Sequence, residues 1–84
     1  MQQLLIDGEL TIYNATEQKT ALLNFLNSGD QLEIDLSLVS ELDTAGLQLL
    51  VLIKREAAKL GKDLRFVMHS KIVQEVLELT NLGV

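Results

Sequence analysis

The chain has 84 residues, of which 48% are hydrophobic, and it carries a formal net charge of −5 at pH 7. Its length corresponds to a single domain over residues 1–84, and its hydrophobic share is typical of a packed globular protein and excludes a disordered one. The acidic balance argues against nucleic-acid binding, which requires a basic surface, and the absence of cysteine excludes disulfides and thiolate metal sites.

The first part of the chain predicts two extended segments and a helix start. Residues 3–6 and 10–13 are expected to be extended, with Gly8 at a bend or bulge between them. Asn14 is predicted to cap the first helix, because Glu17 follows three residues later, as in a capping box. A short extended region with an internal bend is therefore expected before this helix.

The first helix and the strand after it are indicated by their apolar periods. The helix is expected to end at residues 27–30, where Asn, Ser, Gly and Asp follow one another. Residues 32–36 alternate apolar and polar side chains and predict a strand, and residues 37–43 are expected to form a loop. The apolar face of the first helix is predicted to comprise Leu22, Phe25 and Leu26.

The second half of the chain predicts two more helices around a short strand. The second helix is expected over residues 45–60, closed by Gly61 at the C′ position. Residues 64–68 form a nearly continuous apolar run, as expected for a strand in the middle of a sheet. Ser70 is predicted to cap a third helix. The inward residues of that helix are expected to be Ile72, Val73, Val76 and Leu77.

The order of strands and helices predicts an α/β domain with parallel strand pairs and right-handed crossovers. The second helix is unusual, because only Gln48 is polar between residues 47 and 53. A helix that is apolar nearly all round must be covered on both sides, here by neighbouring helices or by a partner. Covering by the first and third helices is the simpler interpretation.

Functional sites in parallel α/β sheets form where strands end and helices begin. Residues 37–46 and the pair His69-Ser70 meet this condition. Asp43 and Thr44 lie at the predicted start of the second helix, where free backbone N–H groups meet the surface. In the simplest interpretation, one of the two is the helix N-cap. A phosphate on Thr44 would add about −1.5 to −2 charges there and would alter a partner-binding surface.

A family resemblance centres on this turn. The run Asp43-Thr44-Ala45-Gly46-Leu47 closely resembles the segment that defines STAS domains, the anti-sigma factor antagonist family. Further matches are found at Gly8-Glu9-Leu10, at Gly61-Lys62-Asp63-Leu64-Arg65-Phe66 and at Asn81-Leu82-Gly83. The resemblance covers nearly the whole chain. It implies a compact STAS-like α/β domain with a mixed, mainly parallel β-sheet packed by about three α-helices.

The resemblance also implies a role in bacterial signalling. In the antagonist branch, a serine kinase that is also an anti-sigma factor phosphorylates the first hydroxyl residue after the Asp, which here is Thr44. The unphosphorylated form binds the kinase and releases sigma factor, and phosphorylation ends that binding. The implied partners are therefore a kinase and a phosphatase, and a homodimer is compatible with this role. The expected partner-binding residues are Ser40, Glu41, Asp43, Thr44, Ala45, Gly46 and Gln48.

The chain departs from the family pattern at two residues and at both ends. Thr44 stands where the best-understood antagonists have Ser, and Thr11 stands where they have a second Asp. The chain begins so close to Gly8 that the family's first strand is expected to be short or missing. It ends where another strand and helix often follow, so the resemblance indicates either a minimal member or a shortened chain.

Two other roles stay open within the same family. The turn Asp43-Thr44-Ala45-Gly46 also resembles that of STAS accessory subunits of ABC-type lipid transporters. The run Gly8-Glu9-Leu10-Thr11-Ile12-Tyr13 resembles STAS components of chemotaxis-type signalling clusters.

Catalysis is not expected. His69 is the only histidine, and nothing in its spacing from Asp43, Thr44 and Ser70 indicates a catalytic triad. Metal-ligand spacing and a glycine-rich phosphate loop are both absent, so no metal or cofactor is expected. Residues 1–7 lack a signal-peptide pattern, and no apolar run approaches the roughly 20 residues that cross a bilayer. We therefore expect a cytoplasmic protein-interaction module without direct membrane insertion.

Overall fold

The computed structural model describes residues 1–80, and the turn expected at residues 81–83 lies outside them. Strands and helices alternate in the order β1 (Gln2–Leu10), α1 (Ala15–Leu26), β2 (Gln31–Leu42), α2 (Thr44–Lys59), β3 (Asp63–Val67) and α3 (Lys71–Thr80). The strands form one sheet in the order β1-β2-β3, and both pairs are parallel. The predicted α/β class with parallel pairs is confirmed, although the described sheet is parallel throughout rather than mixed.

β3 lies at the edge of this sheet, and β2 lies in its centre. The prediction that residues 64–68 form a middle strand is therefore wrong for the strands described. Only one face of β3 is covered by the core. Leu64 and Phe66 on that face are buried, whereas Arg65 between them is exposed. Lys54 on α2 donates a hydrogen bond of 2.6 Å to the Leu64 carbonyl and lies over the Phe66 ring.

One face of the sheet carries the core. In the first half of β2, Leu32, Ile34 and Leu36 are buried, because successive side chains of a strand alternate between its two faces. α1 and α2 pack against each other, α2 contacts all three strands, and α3 packs mainly on β2. The helix residues that fill the core are Leu22, Leu26, Leu47, Leu49, Leu50, Ile53, Ala57, Val73 and Leu77.

The predicted apolar faces of α1 and α3 are confirmed with one exception. Phe25 on α1 and Val76 on α3 are partly buried and pack against the core. Ile72 is 38% exposed, so its predicted inward position is wrong. The reason is geometric, because Ile72 lies about 100° around the helix from the fully buried Val73.

β2 extends to Leu42, so the loop predicted over residues 37–43 is wrong. Its second half pairs with the end of β1, and the last pair joins Leu10 to Leu42. Two register shifts place extra residues in β2, so the buried side chain that follows Leu36 is Val39. These irregularities interrupt the period of two in the sequence, so the alternating pattern predicts the first half of β2 but not its second half.

A turn follows β1, so the extended segment predicted over residues 10–13 is wrong. Asn14 holds the turn, because its Oδ1 accepts a hydrogen bond from the Thr11 N–H at 2.9 Å and its Nδ2 donates to the Glu9 carbonyl at 2.6 Å. Asn14 occupies the N-cap position of α1, as predicted, but its side chain does not cap the helix. Gly8 has a φ of 102° beside a register shift, which confirms the predicted bulge.

The ends of α2 and α3 confirm two predicted caps. Gly61 follows α2 with a φ of 70°, and the Lys62 N–H donates to the Ala57 carbonyl at 2.9 Å, as in a Schellman motif. Ser70 caps α3, because its hydroxyl oxygen accepts a hydrogen bond from the Val73 N–H at 3.3 Å.

Candidate functional site

The Asp43 side chain forms hydrogen bonds both to the start of α2 and to the turn that follows β1. Asp43 is the N-cap of α2, and its Oδ1 accepts a hydrogen bond from the Gly46 N–H at 2.9 Å. Its Oδ2 accepts a second hydrogen bond, also 2.9 Å, from the Ile12 N–H in the turn after β1. The Ile12 N–H, followed by the Gly46 N–H, holds the pKa of the Asp43 carboxyl below its usual value. Of the two residues predicted as the N-cap, Asp43 and Thr44, it is Asp43 that caps α2, and both of its carboxylate oxygens accept hydrogen bonds within the domain.

Gly46 allows α2 to begin directly against the backbone of β1. A Cβ atom at this position would overlap the carbonyl oxygen of Leu10 and lie 2.7 Å from its carbonyl carbon. It would also lie 3.0 Å from the Cδ1 atom of Leu42. Close backbone approach, and not a left-handed conformation, therefore requires glycine here.

Thr44 is the first residue of α2, and it is exposed. Asp43 provides the side-chain cap of this helix, so the Thr44 hydroxyl is not needed for capping. Within residues 1–80 that hydroxyl has no hydrogen-bond partner. Thr44 therefore presents an unpaired hydroxyl to solvent at a fixed place in the fold.

A groove of about 690 Å³ runs between α1 and α2. On α2 it extends from Thr44, at the start of the helix, to Arg55. Val51 and Leu52 contribute half-buried apolar side chains to it. α1 therefore covers the apolar surface of α2 only in part, and the groove exposes the remainder.

Comparison with known proteins identifies the family. Residues 2–84 match the family model described as "Mlab, STAS domain". The chain belongs to the STAS domain family. Its fold is similar to that of the anti-sigma factor antagonist SpoIIAA in its unphosphorylated form, with a TM-score of 0.72 over 96% of this chain and 72% of that chain. The two sequences are 19% identical, so the likeness shows a shared fold. The predicted STAS membership and compact α/β fold are both confirmed.

The predicted partner-binding residues of this STAS domain have different positions in the structure. Asp43 and Gly46 hold the start of α2 in place through a carboxylate cap and a close backbone contact. Ser40 and Glu41 are exposed near the end of β2 and do not line the groove. The predicted residues that line the groove are Thr44, Ala45 and Gln48.

Two exposed apolar side chains beside this site were missed by sequence reasoning. Ile12 is 69% exposed and Tyr13 is 89% exposed. Both lie in the turn that Asn14 holds and that Asp43 ties to α2. The sequence signal is an apolar pair directly before an asparagine at a predicted helix start, although residues 10–13 were expected to be extended.

After β3, His69 lies next to Ser70, which caps α3. His69 is half-buried, and its Nε2 atom is buried without a hydrogen-bond partner in the described part of the chain. Across residues 1–80, no three His, Cys, Asp or Glu side chains are grouped so that they could hold a metal ion. None of the helices in this range is long and apolar enough to cross a membrane.

Proposed function

We propose that this STAS domain is a non-enzymatic regulatory module of the bacterial cytoplasm that binds a serine kinase acting as an anti-sigma factor. Phosphorylation of Thr44 by that kinase ends the binding, and a phosphatase restores it. The proposal is carried by the unpaired Thr44 hydroxyl, which is exposed at the start of α2 and borders the groove. The proposed contact surface comprises Ser40, Glu41, Asp43, Thr44, Ala45, Gly46 and Gln48.

The hydrogen bonds at the start of α2 support this switch. The Gly46 N–H donates to the Asp43 carboxylate, and the Leu47 N–H donates to the Asp43 carbonyl at 2.9 Å. These helix N–H groups are therefore already used, and an ionised carboxylate is adjacent in the chain. A phosphate on Thr44, with about −1.5 to −2 charges, would be repelled by that carboxylate and would add negative charge to the exposed surface at the start of α2. Its main effect would be to disrupt an interface.

The direct test is incubation of the purified protein with its cognate serine kinase and ATP. Intact-mass spectrometry should detect one added phosphate in the wild type, none in Thr44→Ala, and one again in Thr44→Ser, which keeps the hydroxyl. Thr16→Ala is the matched control, because Thr16 is an exposed threonine that lines the same groove. An unmodified wild type, or a phosphate lost only in the control variant, would contradict the proposal.

Binding is tested separately by titrating the kinase with each form of the protein. The unphosphorylated protein should bind, and the phosphorylated protein should bind at least about tenfold more weakly, because like charges brought together in an interface cost several kcal/mol. Equal affinities of the two forms would show that phosphorylation does not act as the switch.

The accessory subunit of an ABC-type lipid transporter is the second candidate. It is favoured by the apolar groove and by the exposed Tyr13, since an apolar contact at either place requires no phosphate. In that case the protein should co-purify with a transporter ATPase, and Thr44→Ala should do so as well. Co-purification with a kinase instead of an ATPase would exclude this candidate.

A further inference from the structure

The groove between α1 and α2 has the length of a binding site for one helix. On α2 its lining extends from Thr44 to Arg55, which at 1.5 Å per residue is about 16 Å, or three helical turns. The apolar side chains along this length are Ala15, Ala45, Leu47, Leu49, Val51 and Leu52. Amphipathic helices bind to such grooves through apolar side chains repeated at each turn.

The charged residues that line the groove are both cations. Lys19 comes from α1 and Arg55 comes from α2, and no carboxylate among the described residues lines the groove, although the whole chain carries a net charge of −5. Neither cation is ion-paired within residues 1–80, where the salt bridge found joins Lys59 to Glu56. Two unpaired cations beside an apolar surface are complementary to an apolar helix face that is flanked by carboxylates.

We propose that the groove binds an acidic amphipathic helix of the partner protein, with its apolar side chains between α1 and α2 and its carboxylates against Lys19 and Arg55. This inference rests on the proposed function, because it specifies the partner element that Thr44 controls. Thr44 borders the same groove, so a phosphate there would repel the carboxylates of the bound helix. Phosphorylation would then release the partner without any change in the core.

The probe is a fluorescent, side-chain-bridged helical peptide of about 14 residues, which is long enough to fill the groove. It carries leucines at one-turn spacing with glutamates beside them, and a control peptide has lysine in place of every glutamate. Anisotropy titrations should show that the glutamate peptide binds at least about tenfold more tightly, although the net charge of the protein favours the lysine peptide. Equal binding of the two peptides, or binding of neither, would overturn the proposal.

Charge-reversal variants test whether the peptide occupies the groove. Lys19→Glu and Arg55→Glu should each weaken binding of the glutamate peptide about three- to tenfold, and Gln48→Glu should weaken it by adding a carboxylate within the groove at almost unchanged shape. Lys71→Glu and Arg65→Glu are matched controls that reverse exposed cations on α3 and β3, and they should change the affinity by less than about twofold. Circular dichroism melts verify that each variant is folded. Equal losses in the control variants would reject the groove as the site.

The kinase assay separates failure of this inference from failure of the proposed function. If the wild type accepts no phosphate, the proposed function fails independently of any peptide result. If Thr44 is phosphorylated but the Lys19 and Arg55 variants bind the kinase as tightly as the wild type does, only the groove proposal fails. A glutamate peptide that binds less tightly to the phosphorylated protein than to the unphosphorylated protein would support both.

Discussion

Among Gly8, Gly29, Gly46 and Gly61, it is Gly46 that has the least room for a side chain. Alanine normally stabilises a helix by about 1 kcal/mol relative to glycine. At this position we expect the opposite, because the added methyl group would overlap the backbone of Leu10. Gly46→Ala should lower the free energy of unfolding by about 3 kcal/mol, at the upper end of the range for overpacked sites. Urea titration followed by circular dichroism measures this change.

Gly61→Ala is the matched control for that substitution. Gly61 has a φ of 70°, but no atom lies within 4 Å of the position that its Cβ would take. Only the left-handed backbone opposes alanine there, so we expect a loss of about 1 kcal/mol. If Gly46→Ala costs no more than Gly61→Ala, then β1 moves to accommodate the methyl group and the contact is not a constraint.

Asp43 gives the stability of the domain a dependence on acid pH. The N–H groups of Ile12 and Gly46 stabilise its ionised form, so its pKa is lower in the folded chain than in the unfolded one. The stabilisation that the Asp43 carboxylate contributes is complete when the pH is above the usual pKa of 3.8. It is lost as the pH falls through the lower pKa that this group has in the folded chain. Asp43→Asn should remove this part of the pH dependence and leave that of Asp35, whose pKa is lowered by the Ser37 hydroxyl and N–H.

Urea titrations of the wild type and Asp43→Asn between about pH 5 and pH 2 measure the difference. The gap in unfolding free energy between the two proteins should narrow as the pH falls. A gap that is constant across this range would mean that the carboxylate is no better stabilised in the folded state than in the unfolded chain.

At the scale of elements, the turn between β1 and α1 depends on one amide side chain. Asn14 satisfies the Thr11 N–H and the Glu9 carbonyl, and both hydrogen bonds are partly buried. Asn14→Ala should lower the free energy of unfolding by about 1–2 kcal/mol, because a donor and an acceptor lose their partner. Asn24→Ala is the control, since Asn24 is exposed on α1 and its side chain forms no hydrogen bond to residues 1–80. Chemical denaturation of both variants should show a change within about 0.5 kcal/mol for Asn24→Ala, and equal losses would mean that the turn does not need this amide.

The helices could be predicted from the sequence because their signals are local. The second helix was expected over residues 45–60 and is found at Thr44–Lys59, and Gly61 and Ser70 have the predicted capping roles. The end of β2 could not be predicted in this way, because it depends on pairing with residues about 30 positions earlier in the chain. Only that pairing shows that the strand continues through two register shifts to Leu42.

At the scale of the whole molecule, the sequence indicated the turn that begins α2 but not the surface around it. Asp43 and Thr44 could be placed from the helix-start pattern and the family resemblance. Thr16 and Lys19 belong to α1 and come close to α2 only when β1, α1 and β2 fold together. Because no local pattern encodes this proximity, the proposed partner surface required the tertiary structure.

The irregular pairing of β1 and β2 also limits where the chain length can vary. Between the pairs Leu5–Asp35 and Leu10–Leu42, β1 advances five residues while β2 advances seven. The two additional residues in β2 place the Asp43 carboxylate within hydrogen-bonding distance of the Ile12 N–H. A one-residue deletion or insertion before Asp43 would move its carboxylate about 3.3 Å along the sheet, out of hydrogen-bonding range. Among relatives, insertions and deletions are therefore expected in the exposed loop at residues 27–30 and not in the second half of β2.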